Sequence, residues 1–381
     1  MIYFDNAATS FPKPPAVMEA AERAIRKYGG NPGRGGHDFT VAVSEQIFAV
    51  RAVAADLFCA KPEHVVFTNN CTHALNIAIK GLAKQGSSVI TSNLEHNSVM
   101  RPLYKLKNHG RIRWIQANVF QKSDAEILEE FRKKISPKTS CVICTHASNV
   151  TGQILPIRDI YHLCRKRRIP FVVDAAQTAG VIPIQVDVDC DIICIAAHKG
   201  LYGPTSCGMM ILGDKVRPAT LMEGGSGGDS LSLTPPDYTP ERYEAGTVNS
   251  VGILALGEGI RFVSELDSKR IRNHELDLCQ TVLEELSETP GIILYQTSFY
   301  SDNQAPILLF NFDKLTSGDG AQALNQAGFA LRGGLHCAPS AHKALKTLET
   351  GAIRFSPSAF STHDEVENFC NAVKNIAKQQ S

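Results

Sequence analysis

The chain has 381 residues, with 39 lysines and arginines against 38 aspartates and glutamates, for a formal net charge of +1. Such a balance offers no bulk attraction to nucleic acid or to an anionic membrane, so small molecules or proteins are the expected partners. The length exceeds that of a typical single core, which predicts one large domain and one smaller one. No uninterrupted apolar run approaches the span of a bilayer, and Met1 to Asp5 has no basic segment leading into an apolar one, so a soluble cytoplasmic protein is expected.

Helical periodicity runs from Ala16 to Tyr28, ends at Gly29 and Gly30, and returns from Val41 to Phe58. Val65 to Phe67 reads as a short strand, followed by a loop and a helix from Thr72 to Lys84. Buried strands are expected at Ser88 to Thr91, Ser140 to Thr145, Pro170 to Val173, Asp191 to Ala196 and Gly208 to Leu212, with helices such as Asp124 to Ile135 and Ile157 to Lys166 between several of them. Strands alternating with helices predict an α/β fold with a mostly parallel, doubly wound sheet covered on both faces. After Leu212 the texture changes. A Gly-rich run from Glu223 to Asp229 and a Pro-containing stretch to Pro240 read as a long loop beside an active site. Gly252 to Leu286 reads as mainly helical, Ala305 to Phe312 as a strand, and Thr362 to Lys378 as an amphipathic helix capping the smaller domain.

The eleven cysteines are odd in number and lie mostly in apolar segments, as Cys141, Cys144, Cys190, Cys194 and Cys207 do. Buried thiols in a reducing compartment fit this better than a disulfide framework. Cys141 and Cys144 have C-x-x-C spacing, but within an apolar run and with no second pair or histidine set, so no metal is expected there.

Lys199 follows the apolar run that ends at Ala196. An ammonium is costly to desolvate there, so an uncharged role such as an imine to an aldehyde cofactor is a physical reason for the residue. One strand earlier, Pro170 to Val173 runs into Asp174, followed by Ala175, Ala176 and Gln177. A carboxylate to hold a pyridine nitrogen protonated and a lysine to form the imine together suggest pyridoxal 5'-phosphate. The segment Thr68 to His73, between a strand and a helix, offers backbone donors and the Thr72 hydroxyl to a phosphate.

Asp174 to Gln177 and His198-Lys199 resemble the signature of the class V aminotransferases, which share the fold type I architecture of pyridoxal-phosphate enzymes. Asp5 to Thr9 is similar to that family's N-terminal motif, Glu95-His96 to its cofactor-stacking histidine, and Ser148 to Gly152 to its active-site asparagine loop. Arg242 to Thr247 and Arg332 to Pro339 resemble the Suf-type cysteine desulfurases more closely still.

The resemblance implies a large cofactor-binding domain over residues 16–250 and a smaller α+β domain formed by 1–15 and 251–381. It implies that Lys199 carries the cofactor and then moves protons, that Asp174 holds the ring nitrogen, that Gln177 meets the phenolic oxygen, and that His96 stacks on the ring. His198, Thr72 and Thr247 would serve the phosphate, with Thr247 reaching the neighbouring subunit of a homodimer with shared sites. Cys71 and Ala196 stand where the family usually has hydroxyl residues, which leaves that clamp more dependent on the other three. Asn149 would lie close to substrate and cofactor, Arg354 would pair with the substrate carboxylate, and Arg332 would also bind the substrate. Cys337, beside His336 and near Arg332 on a Gly-rich segment, matches the sulfur-accepting cysteine. Leu335 replaces a frequent second histidine, and the glutamine often found between the alanine and proline is missing. Arg34 and His37 are placed at the entrance.

The implied activity converts L-cysteine to L-alanine and leaves the sulfur on Cys337 as a persulfide, for delivery to an acceptor protein. Selenocysteine lyase acting on L-selenocysteine is the nearest alternative. An aminotransferase of small amino acids with Cys337 idle, and a non-catalytic sulfur-transfer scaffold, are the others.

Overall fold

Short apolar runs rich in Val and Ile, punctuated by turns, favour strands that are buried on both faces. The computed structural model describes residues 1–33, 35–227, 231–299 and 302–380. In chain order it contains β1 (Ile2–Tyr3), α1 (Pro15–Lys27), α2 (Asp38–Phe58), a 3-10 turn (Pro62–His64), β2 (Val65–Thr68), α3 (Cys71–Leu82), β3 (Ser87–Ser92), α4 (Asn97–Asn108) and β4 (Ile112–Ala117). There follow α5 (Asp124–Lys134), β5 (Thr139–Thr145), α6 (Ile157–Arg165), β6 (Phe171–Asp174), β7 (Ile192–Ala196) and β8 (Gly208–Leu212). A long irregular segment leads to α7 (Ser250–Leu266), α8 (Ser268–Leu286), β9 (Ile292–Leu294), β10 (Leu308–Phe312), α9 (Ser317–Gln326), β11 (Phe329–Ala330), β12 (Arg332–Gly334), α10 (Pro339–Leu345), β13 (Ala352–Phe355) and α11 (His363–Gln380).

The main sheet has the order β2-β8-β7-β6-β5-β3-β4. Neighbours from β7 through β6, β5 and β3 to β4 run parallel, and β8 alone is reversed between β7 and β2. All seven residues of β5 are buried. Their alternation splits the core in two: Val142 and Cys144 pack with residues of α2, α5 and α6 on one face, while Cys141 and Ile143 pack with α3 and α4 on the other. The sheet is therefore doubly wound. Cys141 and Cys144 face opposite sides of it, so the C-x-x-C pair cannot converge on one ion.

A second sheet, β12-β13-β10-β9, is antiparallel, and β1 pairs in parallel with β11. Phe4, between β1 and the Asp5 bridge to Ser356, packs on Phe355 at 4.5 Å between ring centroids and shares a core with α8 and α11. The N-terminal segment thus belongs physically with the C-terminal one. Ile253, Leu254, Leu256 and Ile260 of α7 join the core that contains α2.

Some expected elements shift. The helix read from Thr72 begins at Cys71, capped by the Asn70 side chain, which accepts from the His73 amide. The strand read from Ala305 starts only at Leu308, and α4 and β4 fill a stretch where none was expected. All eleven cysteines are free, nine of them buried. No helix among the described residues is long and apolar enough to cross a membrane.

Candidate active site

In a doubly wound sheet the crevice outside the carboxyl ends of the parallel strands is where ligands are held. Here five strand ends deliver the side chains: β2 leads to Cys71 and Thr72, β3 to Glu95 and His96, β5 to Asn149, β6 ends on Asp174, and β7 leads to His198 and Lys199. The small sheet closes the crevice from the other side with Arg332 on β12 and Arg354 on β13. Except for Glu95, which precedes His96 in the chain, these residues together with Gln177, His336 and Ala196 line a cavity of about 230 Å³.

Burial, then the charge of Arg354, lowers the Lys199 ammonium from its ordinary range. That suits a lysine that must present a neutral amine. Asp174 accepts from the Ala176 amide at 3.0 Å and from the Cys71 thiol at 3.4 Å. Cys71 therefore aims at the carboxylate, and burial with Asp174 beside it pushes its thiol well up. Gln177 is fixed by donating to the Ala7 carbonyl at 3.1 Å.

His96 is the N-cap of α4, accepting from the Ser98 amide, and burial lowers it to about 4. Its neighbour Glu95 ties two strand ends together by accepting from the Ser92 amide and hydroxyl and from the Thr145 amide. Burial raises Glu95 to about 8, against the pull of the Ser92 and Thr145 donors. Thr72 shares a 2.7 Å hydrogen bond with Ser98. His198 Nδ1 is buried and has no hydrogen-bond partner.

Arg354 is almost fully buried. Its Nη2 meets Asp5 Oδ1 at 2.7 Å, and its Nη1 donates to the Asn149 carbonyl at 3.1 Å, while Nε is buried without a partner. Arg332 stands directly opposite Arg354 in the β12–β13 register. Like charges facing each other across a ladder repel. Asp5 offsets only part of that, so this wall remains a receptor for an anion such as a carboxylate.

Cys337 is exposed, and its Sγ lies 3.6 Å from Arg332 Nη2. The loop that carries it is pinned twice: Asn149 Nδ2 donates to the His336 carbonyl and the Asn97 amide to the Cys337 carbonyl, both at 2.8 Å.

The resemblance puts Thr247 at the neighbouring subunit's phosphate, and Arg34 and His37 at the entrance. Thr247 lies outside the cavity, with Asn31 Nδ2 at 3.4 Å from its hydroxyl. His37 caps α2 by accepting from the Thr40 amide and does not line the cavity. Arg34 falls outside the described residues. Sequence reasoning missed the Asp5–Arg354 pair, Ser98, and Arg51, which grips Glu244 of the Arg242–Thr247 segment from α2. No local pattern could have revealed pairs separated by hundreds of residues.

The residues fit pyridoxal phosphate. Asp174 is a buried acceptor for a protonated ring nitrogen, and Lys199 is a lowered amine. The unpartnered His198 Nδ1 and the α3 amides are donors to spare for a phosphate, and the Thr72 hydroxyl could turn to it from Ser98.

A class-V aminotransferase family model matches residues 2–369. A probable cysteine desulfurase of Pyrococcus abyssi is 31% identical over 99% of this chain and 94% of its own length. One from Methanothermobacter thermautotrophicus is 29% identical over 99% and 94%. Among solved structures, the apo cysteine desulfurase of Thermococcus onnurineus superposes with a TM-score of 0.86 at 30% identity, covering 99% of this chain and 95% of that one. With a match that runs nearly from end to end and the same fold beneath it, the chain belongs to the class-V aminotransferase family, among its cysteine desulfurases.

Proposed function

We propose that the cavity desulfurates L-cysteine with pyridoxal phosphate as cofactor, and that Cys337 receives the sulfur as a persulfide. One observation carries the assignment of the acceptor. Of eleven free cysteines only Cys59 and Cys337 are exposed, and only Cys337 sits beside the cavity-lining Arg332. The relatives named above favour this activity over selenocysteine lyase or amino transfer.

Asp174 would hold the ring nitrogen, His198, Thr72 and the α3 amides the phosphate, Gln177 the phenolic oxygen, and His96 the ring face. Bound there, pyridoxal phosphate supplies an aldehyde for the substrate amine and a ring that takes up electrons from the α carbon. Arg354 Nε, turned to no other partner, and Arg332 orient the carboxylate, with Asn149 holding the Arg354 Nη1 side. Lys199 Nζ moves a proton to and from the α carbon. Cys337 Sγ bonds to the substrate sulfur as the carbon–sulfur bond breaks, and that carbon takes up a proton to leave as alanine. An acceptor protein then takes the sulfur from the exposed thiol.

Thr247 serves the phosphate of a second copy in a two-fold dimer. In support, it does not line its own cavity, and Phe48, an exposed aromatic of α2, borders a second cavity with Tyr238, Gly246 and Val248 from the same segment. The two sheets support a larger unit over 16–250 and a smaller one formed by 1–15 and 251–381, except that α7, at the start of 251–381, packs on the larger unit, which supports a boundary after α7. Eleven free thiols support a cytoplasmic setting. The test is incubation with L-cysteine: sulfide and alanine in equal amounts uphold the reading, and a keto acid in their place overturns it.

A further inference from the structure

His336 and Cys337 adopt consecutive left-handed backbone conformations, with φ of 48° and 57°. Neither is glycine. Such a pair is strained and persists only where surrounding contacts over-determine it. The two carbonyl tethers from Asn149 and Asn97 supply part of that constraint.

The rest comes from beneath the loop. The His336 ring is buried, and its Nε2 lies 3.0 Å from the Arg332 carbonyl. Its Nδ1 lies 3.2 Å from His342 Nε2 on α10, and His342 Nδ1 lies 2.8 Å from Thr347 Oγ1. The two rings lie edge to edge and nearly coplanar, with centroids 5.5 Å apart and an interplanar angle of 15°.

A carbonyl can only accept, so His336 Nε2 must carry a proton. Its Nδ1 then accepts, which places a proton on His342 Nε2 and leaves His342 Nδ1 to accept from the Thr347 hydroxyl. The relay has one polarity, and each imidazole is neutral in it. Burial agrees, lowering His336 to about 2 and His342 to about 4. Both nitrogens of His336 are occupied, so it is not a base for the neighbouring thiol despite lining the cavity.

We propose that Thr347, His342 and His336 form a directional hydrogen-bond relay whose function is to lock the Cys337 loop to the Arg332 backbone, holding the thiol against the Arg332 guanidinium for sulfur transfer. The three are positioning residues. Arg332 enters twice, its carbonyl anchoring the relay and its side chain facing Sγ. A loss of the relay therefore changes the separation of guanidinium and sulfur without touching Lys199, Asp174 or Arg354. The role in turnover rests on the desulfurase reading; the locking of the loop does not.

Two disrupting variants and one restoring variant test it. Thr347→Val removes the terminal donor at nearly constant volume, and Thr347→Ser restores it. His342→Phe keeps an aromatic ring beside His336 and removes both hydrogen bonds. In cofactor-free protein, amide hydrogen exchange over residues 335–338 is expected to quicken about tenfold or more in Thr347→Val and His342→Phe, and to stay near wild type in Thr347→Ser. In loaded enzyme the first two should lose about tenfold to a hundredfold in kcat for sulfide release, the scale of a misplaced reacting group, with KM for L-cysteine and cofactor retention unchanged. Wild-type exchange in both Thr347→Val and His342→Phe overturns the proposal, as does a variant whose kcat, KM and cofactor retention fail together. Should the wild type release no sulfide at all, the functional reading fails while the exchange result still decides the relay.

Discussion

Arg51 and Glu244 form a buried ion pair that no local sequence pattern announces. Their side chains are 9% and 7% exposed, and Glu244 accepts from both terminal nitrogens of Arg51 and from the Phe67 amide at 2.6 Å. The pair fixes the segment bearing Thr247 to α2 and β2. Arg51→Met strips the carboxylate of its cation and leaves it buried with one backbone donor. Breaking a buried pair from one side costs about 3–5 kcal/mol, a large part of the roughly 5–15 kcal/mol that holds a protein folded. Glu244→Gln keeps an acceptor for Phe67 but leaves the guanidinium unpaired, and the double variant should be destabilised by less than the sum of the single ones. Burial already raises the Glu244 carboxyl above its ordinary range, against the pull of Arg51. Without Arg51 it should rise further, so the penalty of Arg51→Met should be larger at pH 8 than at pH 5, where the acid takes a proton and the buried charge disappears. Urea unfolding of cofactor-free protein, at one fixed protein concentration, measures each term. A loss below about 1 kcal/mol for Arg51→Met, the scale of an exposed pair, would refute the reasoning.

Lys199→Ala should abolish both sulfide release and the visible absorption of the bound cofactor; retention of either by the variant contradicts the assignment of the cavity. Cys337→Ala should keep the cofactor and its spectral response to L-cysteine while sulfide and alanine collapse, and mass spectrometry of the wild type should place one extra sulfur on the peptide from Arg332 to Pro339. Sulfur found on Cys71 would be surprising, since that thiol is buried, pushed well up and bonded to Asp174. Glu275 of α8 is fully buried, which raises its carboxyl from 4.5 to about 8. Across that window the folded chain holds a proton that the unfolded chain has lost, so stability should fall as pH rises, by about 1.4 kcal/mol per unit. Glu275→Gln should flatten the slope by that amount, and an unchanged slope would show that the group titrates normally. Sedimentation should find a dimer that shares its sites; an active, cofactor-retaining monomer would rule out the role given to Thr247.

The parts of the fold that could be read from the chain are those where burial is symmetrical. β5, β6, β7 and β8 are buried on both faces, so each appears as an unbroken apolar run bounded by turns. β4 is an edge strand, and of its six residues only Ile112 and Ala117 are buried, which leaves Arg113 and Gln116 in the pattern and hides the strand. α4 hides for a related reason. Its buried stripe is Val99, Leu103 and Leu106, but Pro102 falls inside it and the exposed face is basic. Pro306 lies in the three residues by which the strand read from Ala305 was too long, where a ladder donor is missing.

The site divides along the same line. Lys199, Asp174, Thr72 and His96 are set by their place just beyond a strand, which is a local property, and their chemistry can be inferred from the strand that precedes each. What orients the substrate wall is not local. Arg354 on β13 is held by Asp5 near β1 and by the Asn149 carbonyl after β5, three segments that meet only when the small sheet closes over the large one. Arg332 faces Arg354 through a strand register that no spacing reveals. A sequence can therefore disclose candidates for the chemistry well before it discloses which residues hold them. In this chain the holding residues Asp5, Arg51, Asn97 and His342 come from four different elements or their flanks, and each acts on a partner whose identity was already legible.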